Sequence, residues 1–228
     1  SEHRRGREAL DTAIAQLAAR GEIVGMASRS IESTPGDNRL AQAAENLRIL
    51  ARDLPIGRKW PKCRELLGAK SARVGWRSDT PPSQNGTLTW DEVVVQLRLA
   101  AEPLAEVRSI FASDDNATAM PVSESDDRAI VPWLAWSAME RLHALDPEGA
   151  VRDIAMIRRI AERHGRVATL DSQLWRCALL KSGIRLSWEA LQAPALSKTT
   201  LDQLRALWID GAPLTGVSAT LRRERSVG

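Results

Sequence analysis

Apolar residues recur along this chain at intervals of three and four almost everywhere, the period of an α-helix with one buried face. Leu10, Ile14 and Leu17 open the pattern, and Gly21 stands where a helix C-cap is expected. A second helix is predicted after Asp37 as N-cap, carrying Leu40, Ala43, Leu47, Leu50 and Leu54 until Pro55 stops it. Pro61 suits the first turn of a short helix through Leu66 and Leu67.

Residues 72–88, with Pro81-Pro82 and Asn85-Gly86, read as a polar loop. Thr89 and Glu92 then have capping-box spacing and announce a helix through Val93, Val94, Leu97 and Leu99. Pro103 either kinks that helix or starts another through Val107 and Phe111. A second polar loop is predicted at 113–127.

The last hundred residues are the most regular. Ile130 to Leu145 is apolar almost all round, as in a helix packed on several sides. Asp146-Pro147-Glu148-Gly149 is the predicted turn into an amphipathic helix with Val151, Ile154, Ile157 and Ile160, ending at His164-Gly165. Ile154 and Ile157 are expected to be buried against Trp133, Leu134 or Met139. A third helix runs through Leu170, Leu174 and Cys177. Ser187, and then Ser197 or Thr199, read as N-caps of two more, the latter with Leu201, Leu204, Leu207 and Trp208. Leu214, Val217 and Leu221 form a closing segment expected to pack on Leu204, Leu207 or Trp208.

Short links between helices force antiparallel neighbours. The expected fold is therefore all-α: one domain over 1–228, an irregular antiparallel stack with a tetratricopeptide-like hairpin around 130–164. The full 34-residue repeat does not recur, so a regular solenoid is not expected.

Composition narrows the picture. The chain of 228 residues is long enough to bury a core without metal or disulfide. Its apolar runs fall well short of the ~20 residues of a membrane span. It has eight Trp, one Phe and no Tyr, so no phenol is available for acid–base work. A net charge of +3, from 32 basic and 29 acidic residues, is a mixed surface rather than a nucleic-acid stripe. Cys63 and Cys177 have no metal or redox spacing and read as two buried thiols, a lone disulfide being the alternative. The start, Ser1-Glu2-His3-Arg4-Arg5, has no initiator Met, which reads as a segment removed upstream.

The order of motifs resembles a family of uncharacterised, tetratricopeptide-like helical proteins common in planctomycetes and verrucomicrobia. The resemblance rests on Gly21-Glu22, Pro35-Gly36-Asp37-Asn38, Asp146-Pro147-Glu148-Gly149-Ala150, Thr169-Leu170-Asp171-Ser172-Gln173-Leu174, Leu196-Ser197, Leu201 with Leu204, and Glu224-Arg225. It is specific over about 130–225 and departs over 55–90. It implies a helical stack and, because members often begin with a membrane anchor, a place at the periplasmic face of a membrane or in the cytoplasm. It implies no activity.

Candidate chemistry is sparse. Gly68-Ala69-Lys70-Ser71 lacks the glycine spacing of a phosphate-binding loop and reads as a helix end. Glu140-x-x-His143 is half of a di-iron motif; the other internal histidine, His164, has Glu162 two residues before it, at the wrong spacing. Asp114-Asp115-Asn116 lacks the later residues of a calcium loop. Two short glycosylation sequons, at Asn85 and Asn116, carry little weight. No Ser, His and Asp in a protease order, and no cofactor motif, is visible.

The expectation is a non-catalytic helical scaffold or protein-binding module, holding no cofactor or metal and binding no specific nucleic acid. An enzyme with a dispersed site and a weak nucleic-acid binder are the alternatives. The candidate partner surface is Trp133, Trp136, Trp175, Trp188 and Trp208 with Arg152, Arg159 and Arg163. The competing role of the tryptophans is core bulk between helices, and that of the arginines a solvated helix face.

Overall fold

The structure is a computed structural model, and it describes residues 35–53, 74–81, 88–112, 123–167, 169–194 and 196–209. Of these, 85% are helical and none lies in a strand, which makes the fold all-α. The chain divides into two compact units, Ser1–Glu32 and Ser33–Gly228, and every described residue belongs to the second. The expected helices around Leu10 and Leu66, Cys63, and the closing segment from Leu214 lie outside the described residues.

The described helices are α1 (Pro35–Asp53), α2 (Trp90–Leu99), α3 (Ala101–Ala112), α4 (Glu124–His143), α5 (Pro147–Gly165), α6 (Leu170–Leu191) and α7 (Lys198–Ile209). A 3-10 turn, Gly75–Arg77, precedes α2. α4 is the centre: α1, α2, α3, α5, α6 and the 3-10 turn all pack on it. Its side chains are accordingly buried in every direction, from Ile130 and Val131 through Trp133, Leu134 and Trp136 to Met139 and Leu142. Even Pro132, which removes one backbone hydrogen bond, is carried inside this helix, because packing on all sides holds the backbone in place.

α5 follows after a three-residue link and lies antiparallel to α4. Its strongly one-sided pattern buries Ile154, Ile157 and Ile160 completely, in the same core as Trp133, Leu134 and Met139. α6 packs on α5 and α4, and α7 on α5. α7 also reaches α6 through Trp208, whose ring lies so near Gly183 that a Cβ there would sit 3.0 Å from it.

Helix starts follow local chemistry. Thr89 and Glu92 form the predicted capping box, each accepting the other's backbone N–H. Ser197 Oγ accepts the Thr200 N–H at 3.1 Å and starts α7. Pro103 lies in the first turn of α3, so it belongs to a second helix rather than to a kink.

Four local expectations are corrected. α1 begins at Pro35, placing Asp37 inside its first turn rather than at the cap. Residues 123–127, the described end of the loop expected at 113–127, are not loop: Ser123 caps α4, and Glu124, Asp126 and Asp127 lie in its first turn, where the helix dipole favours negative charge. The turn before α5 is Ala144-Leu145, with Leu145 at φ 62°, while Asp146 caps the helix and Pro147 starts it. A Cβ at Gly149 would displace the Arg141 and Asp146 side chains, which pair at 2.8 Å directly over it. Finally, α6 runs unbroken through Ser187, whose hydroxyl donates to the Gly183 carbonyl at 2.8 Å instead of capping a new helix.

Candidate functional site

The eight residues of the expected partner surface do not share a surface. Trp133 and Trp136 are 2% and 0% exposed, inside the core around α4. Arg163 is 3% exposed, its guanidinium 3.7 Å from Asp127 and over the Phe111 ring. Trp133 donates its indole N–H to the Leu47 carbonyl of α1 at 3.2 Å, and Arg163 sits where α3, α4 and α5 meet. Trp175 is half-buried beneath the Arg128 guanidinium. Trp208 is half-buried, donating its N–H to Ser187 with Arg158 over its ring. Arg159 donates to the Phe111 carbonyl, and exposed Arg152 pairs with Glu148 at 2.9 Å. Only Trp188 and Arg152 of the eight are exposed.

The α5 arginines likewise do not line up as a phosphate-binding stripe. Arg158 is 8% exposed and bonded to Glu162, Arg159 and Arg163 turn inward, and Arg152 is paired.

Three polar clusters are buried instead. In the first, His164 Nε2 lies 2.6 Å from Asp127 Oδ2 and its Nδ1 lies 3.0 Å from Ser172 Oγ. The composition is that of a hydrolytic triad, brought together from three helices, and no sequence spacing foreshadowed it. Its placement is that of a structural tie: Asp127, His164 and Ser172 are 0%, 1% and 8% exposed. The serine hydroxyl is also 3.3 Å from the His164 carbonyl. A shallow cleft lies alongside, bounded by Glu124, Arg128, Asp171, Leu174 and Trp175, and none of the three triad residues lines it. A nucleophile needs to meet its substrate, and this one faces helix.

In the second, Asp153 at 1% exposure takes both Nε and Nη2 of Arg108, at 2.9 and 3.1 Å, and the Ser137 hydroxyl at 2.6 Å. Arg141 adds Nε at 3.3 Å and extends the network to Asp146. A carboxylate so buried is tolerable because every lone-pair direction meets a donor. The network joins α3, α4 and α5 in one bolt. Glu140 at its margin is held above the usual carboxylate range by burial, with Arg141 opposing.

In the third, Glu189, 3% exposed on α6, accepts the Gly75 N–H at 3.0 Å. Burial pushes its carboxyl up to about 7, against the two backbone hydrogen bonds from Gly75 and Trp76.

Glu140 and His143 do not act as a ligand pair. His143 Nδ1 lies 2.8 Å from the Trp76 carbonyl and its ring stacks on Trp90. Among the described residues, no three His, Cys, Asp or Glu are grouped to hold a metal ion. No described helix is long and apolar enough to cross a membrane. A cleft of about 640 Å³ between α1 and α3 is open, and Asn38, Arg39, Gln42, Asn46, Glu102 and Glu106 are among the residues that line it.

The outer face of α6 is the feature that sequence reading missed. Leu174, Ile184, Trp188 and Leu191 are 59%, 50%, 44% and 48% exposed. At 100° per residue they fall within one 100° sector, which also holds half-buried Cys177, a free thiol, and exposed Lys181. No described element covers this stripe. The signal is present in the spacing 174, 177, 181, 184, 188 and 191, but a helix start expected at Ser187 divides it in two.

No family model, curated protein or solved structure matches the chain.

Proposed function

We propose that the protein is a non-catalytic helical scaffold that docks an amphipathic helix of a partner protein along the outer face of α6. The exposed stripe of four large apolar side chains carries this reading, since contiguous apolar surface of this kind marks interaction sites. From Leu174 to Leu191 the stripe rises ~26 Å, about five turns, which suits a helix with its own apolar residues at intervals of three and four. Charge selects the partner's flank. Exposed Lys181 lies within the stripe and half-buried Arg185 borders it. The fitting occupant therefore carries acidic residues beside its apolar face. Trp188 is its anchor, as tryptophan is in many interface hot spots.

The test uses two fluorescent 18-residue helical peptides with leucines at three–four spacing, one flanked by Glu and one by Lys. The Glu peptide should bind the full chain, bind Trp188→Ala roughly 10-fold or more weakly, and lose to the Lys peptide on the Lys181→Glu, Arg185→Glu variant. Equal binding of both peptides overturns the acidic flank, and binding of neither overturns the docking face. A wild-type dimer that Trp188→Ala makes monomeric assigns the stripe to a second copy instead.

A further inference from the structure

We propose that residues 74–81 form a pH-gated strap, closed over the ends of α4 and α6 while the Glu189 carboxyl is protonated and loosened as it ionises. The strap is tied at named atoms. Trp76, 5% exposed, donates its indole N–H to the Glu189 carbonyl at 3.0 Å. The neighbouring Gly75 N–H meets the Glu189 side chain, also at 3.0 Å. The Trp76 carbonyl lies 2.8 Å from His143 Nδ1, and the Trp90 indole donates to the Ser78 carbonyl at 2.8 Å. Trp90 and His143 stack with ring centres 4.3 Å apart. Arg77 reaches the Gln192 carbonyl.

Glu189 is the one carboxyl under this strap, and its placement suits the neutral acid. Closing the strap removes it from water and returns only backbone hydrogen bonds to the carboxyl, from Gly75 at 3.0 Å and from Trp76. That is enough for a neutral group and too little for an anion, whose burial costs far more unless a cation or several donors meet it. The charged and titratable groups on the surrounding elements are otherwise engaged. Arg77 is on Gln192 and the Trp76 ring, His143 is on Trp76 and Trp90, and Glu148 and Arg152 at the start of α5 pair with each other. Glu140 on α4 is itself an acid, and Arg185 lies one turn before Glu189 on α6. Burial is what raises its carboxyl, and the opposition comes from the Gly75 and Trp76 backbone.

The direction of the response follows from proton linkage. The closed strap raises the carboxyl from 4.5 to about 7, so the closed form binds the proton more tightly than the open one. Opening is therefore least favoured below about 4.5, grows as pH rises towards 7, and levels off above it. The full span is on the order of a hundredfold in the opening constant.

Amide hydrogen exchange on the full chain reads this directly. After correction for intrinsic base catalysis, protection of the Gly75 amide should fall on the order of a hundredfold between pH 4.5 and 7.5, then flatten. Glu189→Gln keeps a side-chain acceptor for Gly75 but cannot ionise, so its protection should be independent of pH. His143→Gln, which alters the α4 histidine that meets the Trp76 carbonyl, and Asp79→Asn, which removes the exposed carboxyl on the strap itself, should both keep the wild-type profile. A wild-type profile that is flat, or a Glu189→Gln profile that still falls, overturns the gate. Carboxyl ¹³C shifts of wild-type Glu189 provide a second reading that no variant can spoil, and a midpoint near 4.5 would overturn the proposal.

Discussion

α4 and α6 are close in length, 20 and 22 residues, and each carries two tryptophans among many apolar residues. Their fates differ. α4 has neighbours on every side, and Trp133 and Trp136 are almost wholly buried. α6 lies against α5 and α4, is also met by Trp208 of α7 and by the 3-10 turn, and keeps one face open, with Trp175 half-buried and Trp188 44% exposed. Apolar residues around a whole helix circumference thus have two meanings. In α4 they satisfy the domain's own core; in α6 half of them are left for something else. Tryptophan content by itself does not separate the two cases, and the number of packed neighbours does.

The harshest test of this contrast is Trp136→Ala. The side chain is fully buried in α4, on which five other helices pack, so truncation leaves a cavity with little freedom to collapse. A loss of about 3–5 kcal/mol is expected in denaturant melts. A loss below ~1 kcal/mol would mean that α4 is not the hub of the core.

Next in size is Asp153→Ala, about 3 kcal/mol. Removing this carboxylate leaves the Ser137 hydroxyl and two guanidinium groups without their shared acceptor. Arg108 and Arg141 are 28% exposed and can regain some water, which keeps the cost towards the lower end of the range for broken buried pairs. Asp153→Asn, which keeps one acceptor oxygen, should lose less. Equal losses in both variants would show that shape rather than charge is what Asp153 supplies to the α3–α4–α5 junction.

Much of α4 and α5 was legible in the sequence. An apolar run with no polar face and an adjacent one-sided helix leave few arrangements, and Ile154 and Ile157 are buried as their spacing requires. The capping box at Thr89 was legible because both of its partners are local. The misreadings share one cause: Ser and Asp serve helices in more than one way. Ser187 bonds back to its own helix, Asp146 opens a helix that looked like a turn, and the acids at 124–127 belong to a first turn rather than a loop. The buried polar clusters were not legible, since Asp127, His164 and Ser172 meet only through tertiary packing. Nor was the inward turn of Arg163, because an arginine in an amphipathic pattern is normally assigned to solvent.

The smallest expected effect, and the one that sharpens the contrast most, is that of Trp188→Ala on stability. Trp188 lies on the helix face that no described element covers, and with 44% of it still exposed folding removes only part of its ring from water. Alanine also has the higher helix propensity, which offsets the modest packing that the indole supplies. The net change should lie within ~0.5 kcal/mol, as for surface positions generally. Against Trp136→Ala this is about a tenfold difference in effect for the same substitution on two helices of similar length. Unchanged stability together with weakened binding of the Glu-flanked peptide places Trp188 in recognition rather than folding. A loss of about 2 kcal/mol or more, the size expected for a buried side chain, would say the opposite: that the stripe is already covered within the chain, and that α6, like α4, commits its apolar residues to the fold.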